Sequence, residues 1–288
     1  MNSNDPSQML YDLEIIKQIS KGHFGVLYKT KTKKDKIAAL KVIKNTDHHA
    51  IENSKKELFV YSHLPEHPHI LKCYGCAETK DSVFILFEYL RNKDLWEFFF
   101  KDRDKKLGYS QIAKYIWQLC DALRFLHYYD IIHADVKLEN ILVDDDDDIR
   151  LCDFGLARIN NDDYESDYRR GVCGTVGYIA PEVYDDEILG VSPSIDAWAV
   201  GIVLYELLYR KSPFVNASRL SKYKRSDGSL NKDLLKEAMT VFPKVPKHID
   251  PDLHDLFKRV FTVDPEHRAT LSEIQRHRWI CKNYKARY

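Results

Sequence analysis

The stretch from Ile131 to Gly155 constrains this chain more than any other. It reads Ile-Ile-His-Ala-Asp-Val-Lys-Leu-Glu-Asn-Ile-Leu-Val, then a run of aspartates, then Ile-Arg-Leu-Cys-Asp-Phe-Gly. Asp135 is suited to accept a proton and Lys137 to neutralise a phosphate. Asn140 and Asp153 offer oxygens to a hard cation such as Mg²⁺. On either side of the aspartates, Asn140–Val143 and Ile149–Cys152 are apolar and strand-like. They predict a hairpin that folds Asp153 back beside Asn140. The aspartates at 144–148 read as a solvated turn, because consecutive carboxylates on a turn splay outward; binding of a cation is the lesser alternative.

A chain of 288 residues can bury a substantial core, as one large domain or two lobes. Lysine plus arginine equals aspartate plus glutamate at 44 each, so no charge bias points to nucleic acid or an anionic membrane. The start, Met1 to Pro6, is polar and lacks the apolar core of a signal peptide. The longest apolar stretch, Ala199–Tyr209, is interrupted by Glu206 and is too short to span a bilayer. The expectation is a soluble intracellular protein of the cytoplasm or nucleus, with no membrane span and no nucleic-acid partner. Of the six cysteines, only Cys73 and Cys76 lie close together. With no second pair, zinc is not expected, and reduced thiols packed as small apolar groups are.

From Tyr11 to Ile43 the pattern is strand-like, with a polar break at Lys31–Lys36. The segment Ser20 to Leu27 joins two β-type runs through Gly22 and Gly25. Glycine lets backbone N–H groups approach a phosphate, although an ordinary glycine hairpin fits equally well. Lys41 stands in an apolar strand, where it either meets a negative charge or points outward. Ile51–Leu64 predicts a helix that buries Leu58, Tyr61 and Leu64 and carries both Glu52 and Glu57. Strands are expected over Ile70–Cys76 and Val83–Tyr89, and Asp94 is placed to cap the helix that follows. Ser110–Tyr129 carries one apolar stripe through Ile112, Tyr115, Ile116, Leu119, Leu123 and Leu126. Ser194–Leu208 is apolar on nearly all sides and reads as a buried central helix, in which Asp196 requires donors. Val215–Asp233 reads as a polar, irregular surface segment.

The motifs His133-Ala-Asp135 with Asn140, and Asp153-Phe-Gly155, resemble the catalytic core of the eukaryotic protein-kinase family. The resemblance extends in order from Ser20 to Arg268. It includes Ser20-x-Gly22-x-x-Gly25, Ala39-x-Lys41, Gly174-Thr175-x-x-Tyr178, Ala180-Pro181-Glu182, Asp196 and Arg268. Thr175 and Lys137 point to its serine/threonine branch. The fold this implies is α+β and two-lobed: a small β-rich N-lobe with one helix and a larger, mainly helical C-lobe. The corresponding boundaries are a polar extension at 1–10, N-lobe 11–89, C-lobe 90–280 and a basic tail at 281–288. The hinge falls near 88–92 and the activation segment at 153–182. The activity implied is Mg²⁺-dependent transfer from ATP to a serine or threonine of a protein substrate, by a chain expected to be monomeric.

The resemblance also implies roles residue by residue. Ile19, Ser20, Lys21, Gly22, His23, Phe24, Gly25 and Leu27 would cover the nucleotide. Ser20 replaces the first glycine of that loop, and Leu27 the valine that packs on adenine. Ala39 and Leu142 would complete the pocket, with Phe87 closing its rear and Glu88 and Leu90 offering backbone groups to adenine. Asp94 would meet the ribose or a basic substrate side chain. Lys41 would hold phosphates and pair with Glu57 rather than Glu52. Asp135 would take the hydroxyl proton, Lys137 neutralise the phosphoryl, and Asn140 and Asp153 hold Mg²⁺. Thr175 would bond Asp135 and Lys137, Asp196 the backbone of the catalytic loop, and Arg268 the Glu182 carboxylate. Glu139 and Asp94 would favour basic residues before the target hydroxyl. Ala134 departs from the family, which places there an arginine that receives an activation-loop phosphate. Activity is therefore expected not to depend on that phosphate, even if Tyr164, Ser166 or Tyr168 carries one. A pseudokinase scaffold and a dual-specificity kinase are the alternatives. The first would need degraded catalytic positions, and only Ser20 and Ala134 depart.

Overall fold

The computed structural model describes residues 13–22, 25–44, 48–91, 94–102, 104–159, 174–185, 192–215 and 217–286. Its first third is built on β-branched and aromatic runs that pair locally. Strands β1 (Leu13–Gly22), β2 (Gly25–Thr32), β3 (Ile37–Lys44), β4 (Cys73–Glu78) and β5 (Ser82–Glu88) form one antiparallel sheet in the order β1-β2-β3-β5-β4. Helix α1 (His48–His63) packs against it. One sheet face buries Ala39, Ile43, Val83, Ile85 and Phe87. The helix presents a different face from the expected one. Ser54, Glu57 and Val60 are its buried line, while Leu58, Tyr61 and Leu64 are half-buried. The stripe is turned because Glu57 faces Lys41 across the sheet. Strand β4 also starts later than its composition suggests. The peptides of residues 69–71 bond Leu151 instead, Leu71 N–H to its carbonyl and its N–H to the His69 carbonyl, each at 2.9 Å. That exchange ties the small lobe to the large one.

The large lobe comprises α2 (Leu95–Phe100), α3 (Tyr109–Tyr128), α4 (Ser194–Tyr209), α5 (Lys232–Thr240), α6 (Pro251–Val260), α7 (Leu271–Arg276) and α8 (Arg278–Asn283). Short pairs β6 (Ile131–Ile132) with β9 (Arg158–Ile159), and β7 (Ile141–Val143) with β8 (Ile149–Leu151), lie beneath the sheet lobe. Every apolar position of the expected α3 stripe is buried. Helix α4 is buried from Ile195 to Tyr205 and forms the centre of the core. Arg210 ends it in the left-handed region (φ 54°) and donates to the carbonyls of Phe99 and Lys105 at 2.9 Å. The segment after Val215 is more regular than its composition suggests: Ala217–Tyr223 forms a 3₁₀ helix, and α5 begins at Lys232. No helix of the described residues is long and apolar enough to cross a membrane.

The aspartate run corrects the expectation of a solvated turn. Only Asp145 and Asp146 are exposed. Asp144 accepts the N–H groups of Asp146 (3.0 Å) and Asp148 (2.8 Å) and pairs with Arg150 at 2.8 Å. Asp147 is bonded by Tyr115 and Gln111, and Asp148 by Gln118 and Lys114. Helix α3 presents these partners at i, i+3, i+4 and i+7, one continuous polar stripe along the turn. No group of acidic, histidine or cysteine side chains able to hold a metal occurs among the described residues.

Candidate active site

The roof of the cleft is set by β3. Its register places Lys41 opposite Leu27 and Ile85, with the side chain on the buried face. There Lys41 Nζ lies 2.5 Å from Glu57 Oε2 and 3.7 Å from Asp153 Oδ1. Burial alone would push the Lys41 ammonium down, but Glu57 and Asp153 outweigh it and hold the charge above the ordinary lysine range. Glu57, not Glu52, is thus the helix partner.

The floor is set by the hairpin. Cys152 N–H donates to the Asn140 carbonyl at 3.0 Å, and Asp153 follows beside it in the left-handed region (φ 69°). Burial would raise the Asp153 carboxyl, yet Lys41, His133 and Lys137 hold it ionised below the usual aspartate range. Asp135 accepts from Thr175 Oγ1 at 2.7 Å, Lys137 Nζ at 2.6 Å and Asn140 Nδ2 at 3.1 Å. Lys137 also donates to Thr175 Oγ1 at 2.8 Å. The loop beneath is pinned by Asp196. Its carboxylate accepts the N–H groups of His133 and Ala134 at 3.0 Å and is 2.8 Å from His127 Nε2. Those donors compensate Ala134 for a left-handed backbone (φ 61°). Deeper in the lobe, Arg268 donates twice to Glu182, at 2.6 and 2.8 Å, with both side chains buried.

Between roof and floor lies a cleft of about 310 Å³. Ser20, Gly22, Gly25, Leu27, Lys41, Glu57, Phe87, Asp94, Asn140, Leu142 and Asp153 all line it. Ile19 and Lys21 do not, and both are exposed. A bulge between Gln18 and Ser20 reverses the alternation of β1 and gives the cleft to Ser20. Ala39 is buried opposite Phe87, and the Glu88 side chain accepts Lys72 N–H at 2.9 Å. Leu90 is half-buried against the same cluster. His23, Phe24, Tyr164, Ser166 and Tyr168 lie outside the described residues. Asp94 caps α2 through Glu97 N–H at 2.8 Å while also facing the cleft. Val26, Tyr61, Leu71 and Cys152 line the cleft without having been anticipated there. Tyr61 follows Glu57 by one helical turn and Cys152 precedes Asp153, so helical and strand spacing hold the only signal. Glu139 lines the cleft too, and below it Tyr178 donates to Glu206 at 2.5 Å.

The donor set fits Mg²⁺, which characteristically takes one or two carboxylates and completes its shell with phosphate and water. Asp153 supplies an ionised carboxylate, and the Asn140 N–H groups are taken by Asp135, which leaves its amide oxygen as ligand.

The protein kinase domain family matches residues 13–280. An Aurora kinase of Eremothecium gossypii is 32% identical over 280 residues, covering 95% of this chain and 70% of the relative. The Aurora kinase of Encephalitozoon cuniculi is 30% identical, covering 94% of each chain. The serine/threonine-protein kinase SIK2 of Gallus gallus is 31% identical over 94% of this chain and 32% of its own length. Such even likeness to differently named kinases supports the family rather than the role of any one member.

Proposed function

The chain belongs to the protein kinase family and is a protein serine/threonine kinase, and from that premise we propose the reaction it performs. It transfers the γ-phosphoryl group of ATP, with Mg²⁺, to serine and threonine hydroxyls of protein substrates. The observation that carries this reading is the bonded set Asp135, Lys137, Thr175 and Asn140 beneath the Lys41–Glu57–Asp153 cluster.

Lys41 binds the α- and β-phosphates, held in place by Glu57. Asn140 and Asp153 hold Mg²⁺, which when bound supplies positive charge to the phosphate oxygens. Asp135 orients the substrate hydroxyl and takes its proton as the oxygen bonds to the γ-phosphorus and the bond to the bridging oxygen of ADP breaks. Lys137, beside Asp135, stabilises the charge on the transferring group. Thr175 fixes both by accepting from one and donating to the other. The lobes follow the division at 11–89 and 90–280, with the hinge near 88–92. Glu139 and Asp94 favour a basic residue before the acceptor, a preference that a peptide array would display. The protein acts inside the cell, a reading supported by the unpaired Cys73, Cys76, Cys120, Cys152 and Cys281.

Ala134 offers no charge to an activation-loop phosphate, and its loop is held by Asp196 instead. Activity is accordingly independent of that phosphate. The test is transfer of labelled phosphate from ATP and Mg²⁺ to a basic protein substrate by phosphatase-treated protein, beside Asp153→Ala. Transfer by the wild type alone, on serine or threonine, is expected. ATP binding without transfer by either protein would favour the scaffold reading.

A further inference from the structure

Between α4 and α5 the chain carries a basic run that the reaction above does not use: Lys222-Tyr-Lys224-Arg225, followed by Ser226. Three of the four residues before this serine are lysine or arginine, which holds for no other serine or threonine of the chain. The run is built into a small hairpin. Lys224 and Leu230 form its antiparallel bridge. Arg225 N–H donates to the Ser229 carbonyl at 2.8 Å, and Gly228 N–H to the Arg225 carbonyl at 3.0 Å. Ser226 thus occupies the first central position of a β-turn that Gly228 closes with a positive φ (84°).

The base of the hairpin is fixed and its tip is not. Tyr223 and Leu230 pack against the core of the large lobe, and Asn231 N–H donates to the Tyr223 carbonyl at 2.7 Å. Residues 224–229 are all exposed, so drawing the tip into an extended form breaks turn hydrogen bonds but uncovers no core. The Ser229 hydroxyl, by contrast, is held by Asp227 at 2.6 Å. The hairpin belongs to the same lobe as Asp135, and none of its residues lines the cleft. Motion of the lobes cannot bring Ser226 to its own catalytic loop, whereas a second copy of the chain can take the exposed tip. Glu139 and Asp94 line the cleft that would receive it and are opposite in charge to the run.

We propose that Ser226 is a modification site of this chain, phosphorylated from ATP by a second copy that recognises Lys222, Lys224 and Arg225. The inference rests on the kinase reading and on its preference for basic residues before the acceptor. The Ser226 Oγ bonds to the γ-phosphorus as the bond to the bridging oxygen of ADP breaks. The hydroxyl proton passes to Asp135 of the second copy, and ADP leaves with the electron pair. The phosphate brings a charge of about −1.5 to −2 beside three cations. It offsets much of the charge that drew the run into an acidic cleft, and so favours release of the modified tip.

The test mixes phosphatase-treated wild type with an excess of tagged Asp153→Ala full chain, in ATP and Mg²⁺, beside a basic protein substrate. Peptide mass spectrometry locates the phosphate. The expected result is phosphate at Ser226 of the inactive chain, which only the other copy can supply. Wild type alone gains it at a rate per chain that rises in proportion to protein concentration. Alanine at Lys222, Lys224 and Arg225 of the acceptor slows this transfer roughly tenfold or more, about the combined worth of three exposed charge contacts. Ser226→Ala removes the label and leaves transfer to the basic protein unchanged. Phosphorylation of the basic protein with Ser226 bare would overturn the inference and leave the kinase reading standing. No transfer to either would overturn that reading and the inference with it. A rate per chain independent of dilution would overturn the inference, as would an alanine acceptor labelled as fast as the native run.

Discussion

A single hydroxyl joins Thr175 to Asp135: Oγ1 donates to Oδ1 at 2.7 Å while accepting from Lys137 Nζ at 2.8 Å. It orients a carboxylate and an ammonium that also pair directly, at 2.6 Å. Thr175→Val removes both bonds at nearly constant volume. The expected outcome is a fall in kcat of roughly 10–100-fold, at or below the usual worth of a positioned general base, with KM for ATP close to wild type. Thr175→Ser keeps most of the rate. Steady-state kinetics at saturating peptide would show it, and equal losses in both variants would contradict the role of the hydroxyl.

Lys41, partly buried, and Glu57, fully buried, form a pair whose halves are unequal in function. Lys41→Met should abolish transfer and also leave the Glu57 carboxylate buried beside Asp153 without its cation. Breaking such a pair costs about 3–5 kcal/mol, whereas replacing both members by apolar groups is often neutral. The double variant Lys41→Met/Glu57→Leu is therefore expected to regain most of the lost stability while staying inactive. Urea melts of the three proteins measure this. A double variant no more stable than Lys41→Met would mean that the pair is not the source of the loss.

What could be read along the chain was whatever depends on local order. His133, Asp135, Asn140 and Asp153 share one loop and one hairpin, so their meeting follows from a turn, and the structure brings them together. Asp196 was legible as a buried acid needing donors, and it finds the N–H groups of His133 and Ala134. What escaped depends on tertiary partners or on one displaced residue. The bulge at Gln18–Ser20 moves Ile19 out of the cleft, which no residue type there announces. The aspartate turn looked solvated because Gln111, Lys114, Tyr115 and Gln118 are remote in sequence. Tyr61 read as ordinary core, since helical spacing cannot show that Phe87 and Phe154 flank it or that its hydroxyl finds no partner among the described residues.

Gly201 lies on α4 against the C-terminal end of α6. A Cβ there would stand 2.8 Å from Val260 Cγ2 and 2.9 Å from the Phe261 ring. Gly201→Ala gains helix propensity on the order of 1 kcal/mol, but only if those side chains yield. Gly201→Leu cannot be accommodated without moving α6, and overpacking of this kind costs typically ~1–3 kcal/mol or more. The expected outcome is a lower Tm for leucine, with alanine near wild type or below it. A leucine variant as stable as the wild type would show that α6 is not fixed against α4.

Glu206 makes the stability of the large lobe depend on pH. Burial, with the nearby Glu139 charge, pushes its carboxyl up to about 7, while the hydrogen bond from Tyr178 opposes the shift. In the unfolded chain the same group titrates near its ordinary 4.5. Between those values the folded chain keeps a proton that the unfolded chain has lost. Folding then takes up a proton, so this contribution is full below about 4.5 and is lost as pH rises through about 7. The interval corresponds to ~3 kcal/mol at most, at 1.36 kcal/mol per pH unit. Glu206→Gln still accepts from Tyr178 and does not titrate. Relative to the variant, wild type is expected to lose on the order of 1–3 kcal/mol of unfolding free energy between pH 5 and 8. Urea midpoints at matched ionic strength give that difference, and parallel pH profiles for the two proteins would remove Glu206 as its source.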